Sequence, residues 1–278
     1  MHRSFSPFDG TPPRVKAAAD RPVVTPFARA LDILNAFTPD DRWLCNGDLA
    51  ARAHLPASTV TRLTRTLVAL GYLRCDASKR RFRLGSSALA LGYRAAAQIE
   101  LREIGNSAHQ RMRSFADCHH VHVHLCARNR LDLVVIDSCC TSTIPESLQP
   151  AIGTRLALAS SAAGWALLAS LPDEERDYLL QSAEQQPEGE WSETWGHLRH
   201  RSYEAIGQVR HGGFCVALGK SGQPMTMVAA PIQLPGEAPL AVSCMAPSML
   251  IGRERSLHEL GPALVRMAQD IQHSRALS

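Results

Sequence analysis

Apolar residues recur along this chain with two different periods, and the change falls near residue 120. Over Phe27 to Phe37, Gly47 to Ala53 and Ser58 to Leu70 they return every three or four positions, the spacing of one face of an α-helix. In the third segment Val60, Leu63, Leu67 and Leu70 predict a single buried stripe, which leaves Ser58, Thr59, Thr61, Arg62 and Arg65 on other faces. The segment Tyr72 to Leu84 reads as a strand pair folded about Asp76-Ala77-Ser78, with Phe82 and Leu84 turned inward. Ser87 to Ile104 is Ala- and Leu-rich and predicts one longer helix able to join two domains.

Beyond residue 120 the period shortens. Strands are expected at His120 to Cys126, Leu131 to Asp137, Thr226 to Gln233 and Pro239 to Ala246. Helices are expected at Ser160 to Leu171, directly after Pro172, around Arg201 to Arg210 and at Arg255 to Ser274, with a polar loop up to about residue 196. The pattern predicts an α+β fold with a mostly antiparallel sheet. Met1 to Pro26 holds five prolines and no apolar run, so it reads as a disordered tail and not as a secretory signal. The most apolar stretch, Ala157 to Leu171, has 15 residues and is too short to span a bilayer. Four parts result: a tail at 1–23, a helical and hairpin domain at 24–86, a connecting helix at 87–104 and a larger domain at 105–278.

Composition sharpens this division. The 278 residues are 45% hydrophobic and 20% charged, enough for a packed core without disulfides. The net charge of +4 is an average: residues 1–100 hold 15 Lys+Arg against 8 Asp+Glu, and residues 101–278 hold 15 against 18. A basic module for a polyanion thus precedes a near-neutral module with another task. The eight cysteines include no Cys-x-x-Cys pair and, without an export signal, are expected to be reduced thiols in the cytoplasm of a bacterium. No nucleophile elbow, phosphate-binding loop, dinucleotide fingerprint or His-Glu-x-x-His motif is present, which argues against an enzyme.

Within the basic module, Leu49 to Leu73 contains a short helix, a tight turn at Leu55-Pro56, a second helix and a Gly71 suited to a left-handed C-cap. That is the layout of a helix-turn-helix, whose second helix enters the DNA major groove. Arg62 and Arg65 match guanine edges, and Ser58, Thr59 and Thr61 match bases or phosphates. Arg74, Lys79, Arg80, Arg81 and Arg83 then form a basic wing that would neutralise phosphates.

At these residues the chain resembles the IclR-type, or isocitrate lyase regulator, family of bacterial transcription factors. The resemblance rests on Arg29-Ala30-Leu31-Asp32-Ile33-Leu34, the Leu-Pro-x-Ser-Thr-Val-x-Arg-Leu run at 55–63, Leu70-Gly71-Tyr72 and Phe82-Arg83-Leu84-Gly85. It continues through Ile152-Gly153-Thr154-Arg155-Leu156, Ala162 to Ala169, Gly212-Gly213-Phe214 and Ala229-Ala230-Pro231-Ile232, covering roughly residues 24–272. It implies a winged helix-turn-helix, a linker helix used in dimerisation and a GAF-like C-terminal domain that binds a small molecule. It also implies homodimers or tetramers on double-stranded operators near catabolic genes, with RNA polymerase as a further partner and no membrane.

The resemblance places the effector pocket at Gly153, Ala163, Gly164, Ala217, Met227, Ser243 and Met245, with Arg155 or Lys220 available to a carboxylate. Where family members commonly carry acidic residues after the Gly-Phe corner, this chain has Cys215-Val216-Ala217-Leu218-Gly219-Lys220, and Met227 and Met245 replace polar positions. Such a pocket favours an apolar or aromatic body, so an aromatic or other organic acid is the expected effector. No cofactor is expected.

One further segment is unusual. If Cys118 to Cys126 were extended throughout, Cys118, His120, His122, His124 and Cys126 would share one face. Two such histidines suit zinc, which makes a metal-responsive regulator an alternative, but three ligands along one strand span about 13 Å, too far for one tetrahedral centre. The competing expectation is a half-exposed strand whose polar face is His, with no metal. Cys139-Cys140 offers a redox-responsive alternative without a basic neighbour to lower a thiol pKa. An enzyme acting on small organic acids is the remaining alternative. Trp165 reads as core and Asp173-Glu174-Glu175 as a first helical turn.

Overall fold

The computed structural model describes residues 24–38, 41–98, 101–141, 150–185, 195–219 and 225–276. The chain divides into two compact units, residues 10–102 and, apart from nine N-terminal residues, 103–278. The predicted tail, Lys220 and the 186–194 part of the polar loop lie outside the described residues.

In the first unit, α1 (Thr25–Asn35), α2 (Asn46–Arg52) and α3 (Ala57–Ala69) surround Ile33, Leu49, Leu55, Val60, Leu63 and Leu67. A three-stranded sheet of order β1-β3-β2 closes the core, built from β1 (Leu44–Cys45), β2 (Leu73–Asp76) and β3 (Arg81–Leu84). Phe82 packs on this core and faces Leu44 across the sheet. Two sequence expectations fail here. Leu70 is 61% exposed because α3 ends there and Gly71, at φ +77°, turns the chain away; Thr64 takes its place on the buried stripe, its hydroxyl donating to the Val60 carbonyl at 2.9 Å. Leu84, opposite the buried Leu73 on the same strand face as Phe82, is left 45% exposed at the end of its strand and is not buried as expected. After the hairpin comes α4 (Ser86–Gln98).

The second unit opens with α5 (Leu101–His119), whose Ala108, Met112, Phe115 and Ala116 are buried. Its many Arg, His and Ser residues mask that spacing in the sequence. Six antiparallel strands follow in the order β6-β5-β4-β9-β8-β7. They are β4 (His122–Asn129), β5 (Asp132–Cys139), β6 (Arg155–Ala157), β7 (Cys215–Ala217), β8 (Met225–Ile232) and β9 (Leu240–Pro247). The two edge strands are three residues long, too short for a period-2 signal. The helices are α6 (Ala162–Ser170), α7 (Asp173–Glu184), α8 (Trp195–Gly212), α9 (Arg253–Arg255) and, after one π-helical turn at Ser256–Leu260, α10 (Gly261–Ala276).

One core cluster joins α6, α7 and α8 to Cys126, Leu133, Val135, Ala229 and Ala241 on one sheet face. Leu264, Ala268 and Ile271 of α10 are buried outside that cluster while α10 packs on β8, which puts α10 on the opposite face. α6 is buried all round from Ala162 to Leu168, as befits a central helix. Trp165 belongs to this core, its indole N–H donating to the Ala159 carbonyl at 2.8 Å. No helix among the described residues is long and apolar enough to cross a membrane.

Candidate nucleic-acid interface and ligand-binding face

Cys45 caps α2: its thiol accepts from the Asp48 N–H at 3.4 Å, and the Asp48 carboxylate accepts from the Cys45 N–H at 2.8 Å. Arg52 at the other end of α2 forms a forked pair with Asp41, at 2.5 and 3.1 Å. Burial alone would raise the Asp41 pKa, but donors on Arg52 and Thr38 hold it below the usual value. His54, at φ +52°, makes the reversal into Leu55-Pro56, and Pro56 stands at the N-cap of α3. The helix-turn-helix is therefore fixed from both ends of α2.

This frame leaves Ser58, Thr61, Arg62 and Arg65 exposed and Thr59 half-buried on α3. Thr61 is tied to the scaffold: its hydroxyl donates to the Ala57 carbonyl at 2.9 Å and accepts from the Asn46 amide at 3.1 Å. Arg62 and Arg65 form no ion pair among the described residues. On the wing, Lys79, Arg80, Arg81 and Arg83 are all exposed. The Asp76 carboxylate shapes the turn by accepting from the Ser78 hydroxyl at 2.6 Å and from the Ser78 and Lys79 N–H groups at 3.0 and 3.3 Å. The strand register puts Arg74 opposite Arg83 and Asp76 opposite Arg81, so these four share one face. The Arg83 guanidinium lies 4.9 Å from the centre of the Trp43 ring, which fixes its direction.

In the second unit, strand register assembles a site that sequence spacing alone did not reveal. His122 pairs with Met245, Met245 with Met227 and Met227 with Ala217, so these four form one row across β4, β9, β8 and β7. The next row holds His124, Ser243, Ala229 and Cys215, with Ser138 of β5 opposite His124. Both rows lie on the face covered by α6, because Ala229 and Cys215 belong to its core cluster and Ala217 and Met227 pack against it. Ala163, in the first turn of α6, belongs to the same cluster, and Gly164 follows it in that turn, where the Ser161 hydroxyl accepts from the Gly164 N–H at 3.0 Å. A Cβ on Gly164 would stand 2.0 Å from the Leu158 carbonyl oxygen, so glycine is needed there for packing. Of the expected effector residues, the fold thus brings Ala163, Ala217, Met227, Ser243 and Met245 to the α6-covered face, while Gly164, next to Ala163, packs on the Leu158 backbone.

Gly153 and Arg155 stand apart. Gly153 is an exposed turn residue at φ +91°. Arg155 pairs in register with Val134, on the opposite face from Val135 and Leu133, and its guanidinium reaches Asp132 at 3.4 Å. Burial raises the Asp132 pKa, and Arg155 counters part of that rise.

The one-faced ladder along Cys118 to Cys126, on which the metal-responsive alternative rests, is not formed. Cys118 and His119 belong to α5, and His120 is exposed in a turn at φ +54°. Nor is the strand half-exposed: His122 is 1% and His124 0% accessible, their ring centres 4.6 Å apart. Burial pushes the His122 pKa down to about 4 and that of His124 well below its usual value, so both imidazoles are neutral at pH 7. His122 Nδ1, both ring nitrogens of His124 and the Ser243 hydroxyl are buried without a hydrogen-bond partner among the described residues. Sequence reasoning did not place this pair on the α6-covered face beside Ser243 and Met245, because the pairing of β4 with β9 is not written in either strand. Among the described residues, three potential metal ligands converge at His109, Asp137 and Cys139. There the Asp137 carboxylate engages His109 at 3.0 and 3.1 Å, and burial pushes the Cys139 thiol up to about 12, which keeps it protonated.

The family model of the IclR helix-turn-helix domain matches residues 27–77, and that of the bacterial transcriptional regulator IclR C-terminal matches residues 96–273. The chain is 29% identical over 256 residues to the HTH-type transcriptional regulator TsaQ1/TsaQ2 of Comamonas testosteroni, covering 90% of this chain and 88% of that protein. An IclR family transcriptional regulator from Brucella abortus superposes with a TM-score of 0.75 at 33% identity, covering 92% of this chain and 94% of the other. An IclR homologue from Microbacterium hydrocarbonoxydans, complexed with 4-hydroxybenzoate, shares the fold at a TM-score of 0.70 and 22% identity, covering 91% and 100%.

Proposed function

Because the chain belongs to the IclR family of bacterial transcriptional regulators, a family of regulators and not of enzymes, we propose that it controls catabolic genes by binding a duplex operator under the control of an organic-acid effector. Ser58, Thr59, Arg62 and Arg65 read the major groove, and Thr61, whose hydroxyl is tied back to Ala57, offers its methyl group to thymine. Lys79, Arg80, Arg81 and Arg83 grip phosphate on the flank. The observation that carries the DNA reading is the pair Arg62 and Arg65, exposed on a helix whose other side is fixed by a buried stripe.

Two copies act together. Exposed Leu89 and Tyr93, one turn apart on α4, give that helix an apolar face suited to a second copy of the chain. A symmetric dimer then presents two α3 helices to half-sites about one turn of DNA apart. The effector occupies the sheet face beneath α6, where Ala217, Met227 and Met245 favour an apolar or aromatic body. The choice of an acid is supported by the homologue of the same fold that is complexed with 4-hydroxybenzoate, which is a natural first probe.

A mobility-shift titration with the DNA upstream of the protein's own gene tests the reading. Arg62→Ala is expected to weaken specific binding by about 1 to 3 kcal/mol while leaving non-specific binding nearly unchanged. Equal affinity of wild type and variant for that DNA would remove Arg62 from the reading set.

A further inference from the structure

Four buried polar groups on the α6-covered sheet face have no partner among the described residues, an unusual concentration for a native core, where buried polar atoms are nearly all hydrogen-bonded. Three of them are ring nitrogens of adjacent histidines, His122 Nδ1 and both nitrogens of His124, and the fourth is the Ser243 hydroxyl, opposite His124 in register. Leaving such groups unpaired is costly, so an arrangement of this kind implies a molecule that satisfies them.

The local hydrogen bonds fix what that molecule must offer. The Ser138 hydroxyl lies 3.4 Å from the Pro150 carbonyl and 3.3 Å from His122 Nε2. A carbonyl only accepts, so the single Ser138 proton goes to Pro150, and His122 Nε2–H donates to the Ser138 oxygen. The neutral imidazole then leaves Nδ1 as a bare acceptor. Neutral His124 presents one donor and one acceptor, and Ser243 presents both. The site therefore asks for a group that both donates and accepts.

Building on the effector reading above, we propose that His122, His124 and Ser243 are the polar reading groups of the pocket. They select an uncharged hydroxyl carried on an aromatic ring, which donates to His122 Nδ1 and accepts from Ser243 or His124. The ring packs on Met227 and Met245, whose thioethers suit an aromatic body. A bare carboxylate does not fit the same place. Among the described residues the titratable groups of this face are the two histidines, Cys126 and Cys215, all neutral, whereas Arg155 lies on the other face with Asp132. The carboxylate of a hydroxylated acid accordingly points away from the histidine pair.

The test uses the full-length protein and two readouts. Calorimetric titration with 4-hydroxybenzoate, 4-hydroxycinnamate, their parents benzoate and cinnamate, and their 4-methoxy ethers should show the hydroxylated members binding at least about tenfold tighter, the cost of leaving buried groups unpaired. His122→Phe should reduce that preference to less than about threefold, and His122→Asn, whose side-chain carbonyl can replace Nδ1 as an acceptor, should restore part of it. Equal affinity for hydroxylated acids and their parents, or an undiminished preference in His122→Phe, would overturn the proposal. Nitrogen-15 spectra of the histidine rings at pH 7 supply the ligand-independent readout. They should show His122 neutral with its proton on Nε2; a proton on Nδ1, or a doubly protonated ring, would overturn the proposal even if an acid binds. If none of the six acids binds while the spectra show the expected tautomer, the aromatic-acid reading of the effector fails and the hydroxyl-accepting polarity of the site stands.

Discussion

Replacing Lys79 and Arg80 by Gln together should change how DNA binding depends on salt far more than it changes the fold. Both side chains are exposed in the wing turn and make no ion pair among the described residues, whereas Arg83 rests on Trp43 and Arg81 faces Asp76. They are thus two wing charges in the turn that are available to phosphate. Each phosphate contact contributes about 0.9 to the slope of log affinity against log salt. Two charges in each of two copies make four contacts, so the double variant should lose about 3.6 from the slope. Between 50 and 200 mM salt, a fourfold change, that is about a hundredfold smaller loss of affinity than wild type suffers. Fluorescence anisotropy with a labelled operator duplex across that range reads the slope directly. The turn itself is held by Asp76 through backbone and Ser78 contacts, so the melting temperature should stay near that of wild type. A slope unchanged in the double variant, or lowered by the same amount in Arg62→Ala, would refute the division of labour between wing and recognition helix.

Three more outcomes follow from the packing. Gly164→Ala would drive a Cβ into the Leu158 backbone, so it should destabilise the C-terminal unit by about 3 kcal/mol or more in denaturant melts; a loss below about 1 kcal/mol would mean that α6 can shift without cost. His122 is held neutral when folded, with a pKa of about 4 against an ordinary 6.5, so the unfolded chain binds the extra proton between those values. Its contribution is complete above about pH 6.5 and falls by about 3 kcal/mol toward pH 4, and urea midpoints of His122→Asn should lack that part of the acid dependence. Replacing Leu89 and Tyr93 by Ser should shift sedimentation toward monomer, and an unaltered dimer would move the interface away from α4.

Much of the first unit was legible because its signals are local. Val60, Leu63 and Leu67 mark α3 by spacing, Gly71 marks its end by the need for a positive φ, and the charges of the wing stand in one short run. Leu70 misled because an apolar residue in register with a stripe can still fall past the last turn. The second unit depends on long-range pairing. Met227 and Met245 were identified from family likeness, but that they stand in one row with His122 follows only from the register of β4, β9 and β8. The histidine run looked like a metal ladder because alternation assumes a strand throughout, whereas α5 continues to His119 and His120 turns the chain. Arg155 looked available to a ligand because sequence does not reveal Asp132 beside it on the other face.

The most direct test of a regulator that couples this sheet face to operator choice is the operator-binding isotherm of the full-length protein, measured with and without saturating 4-hydroxybenzoate or whichever hydroxylated acid calorimetry shows to bind. Coupling between the two units predicts a shift in operator affinity of about 5- to 150-fold. Superimposable isotherms, with the acid bound, would contradict it.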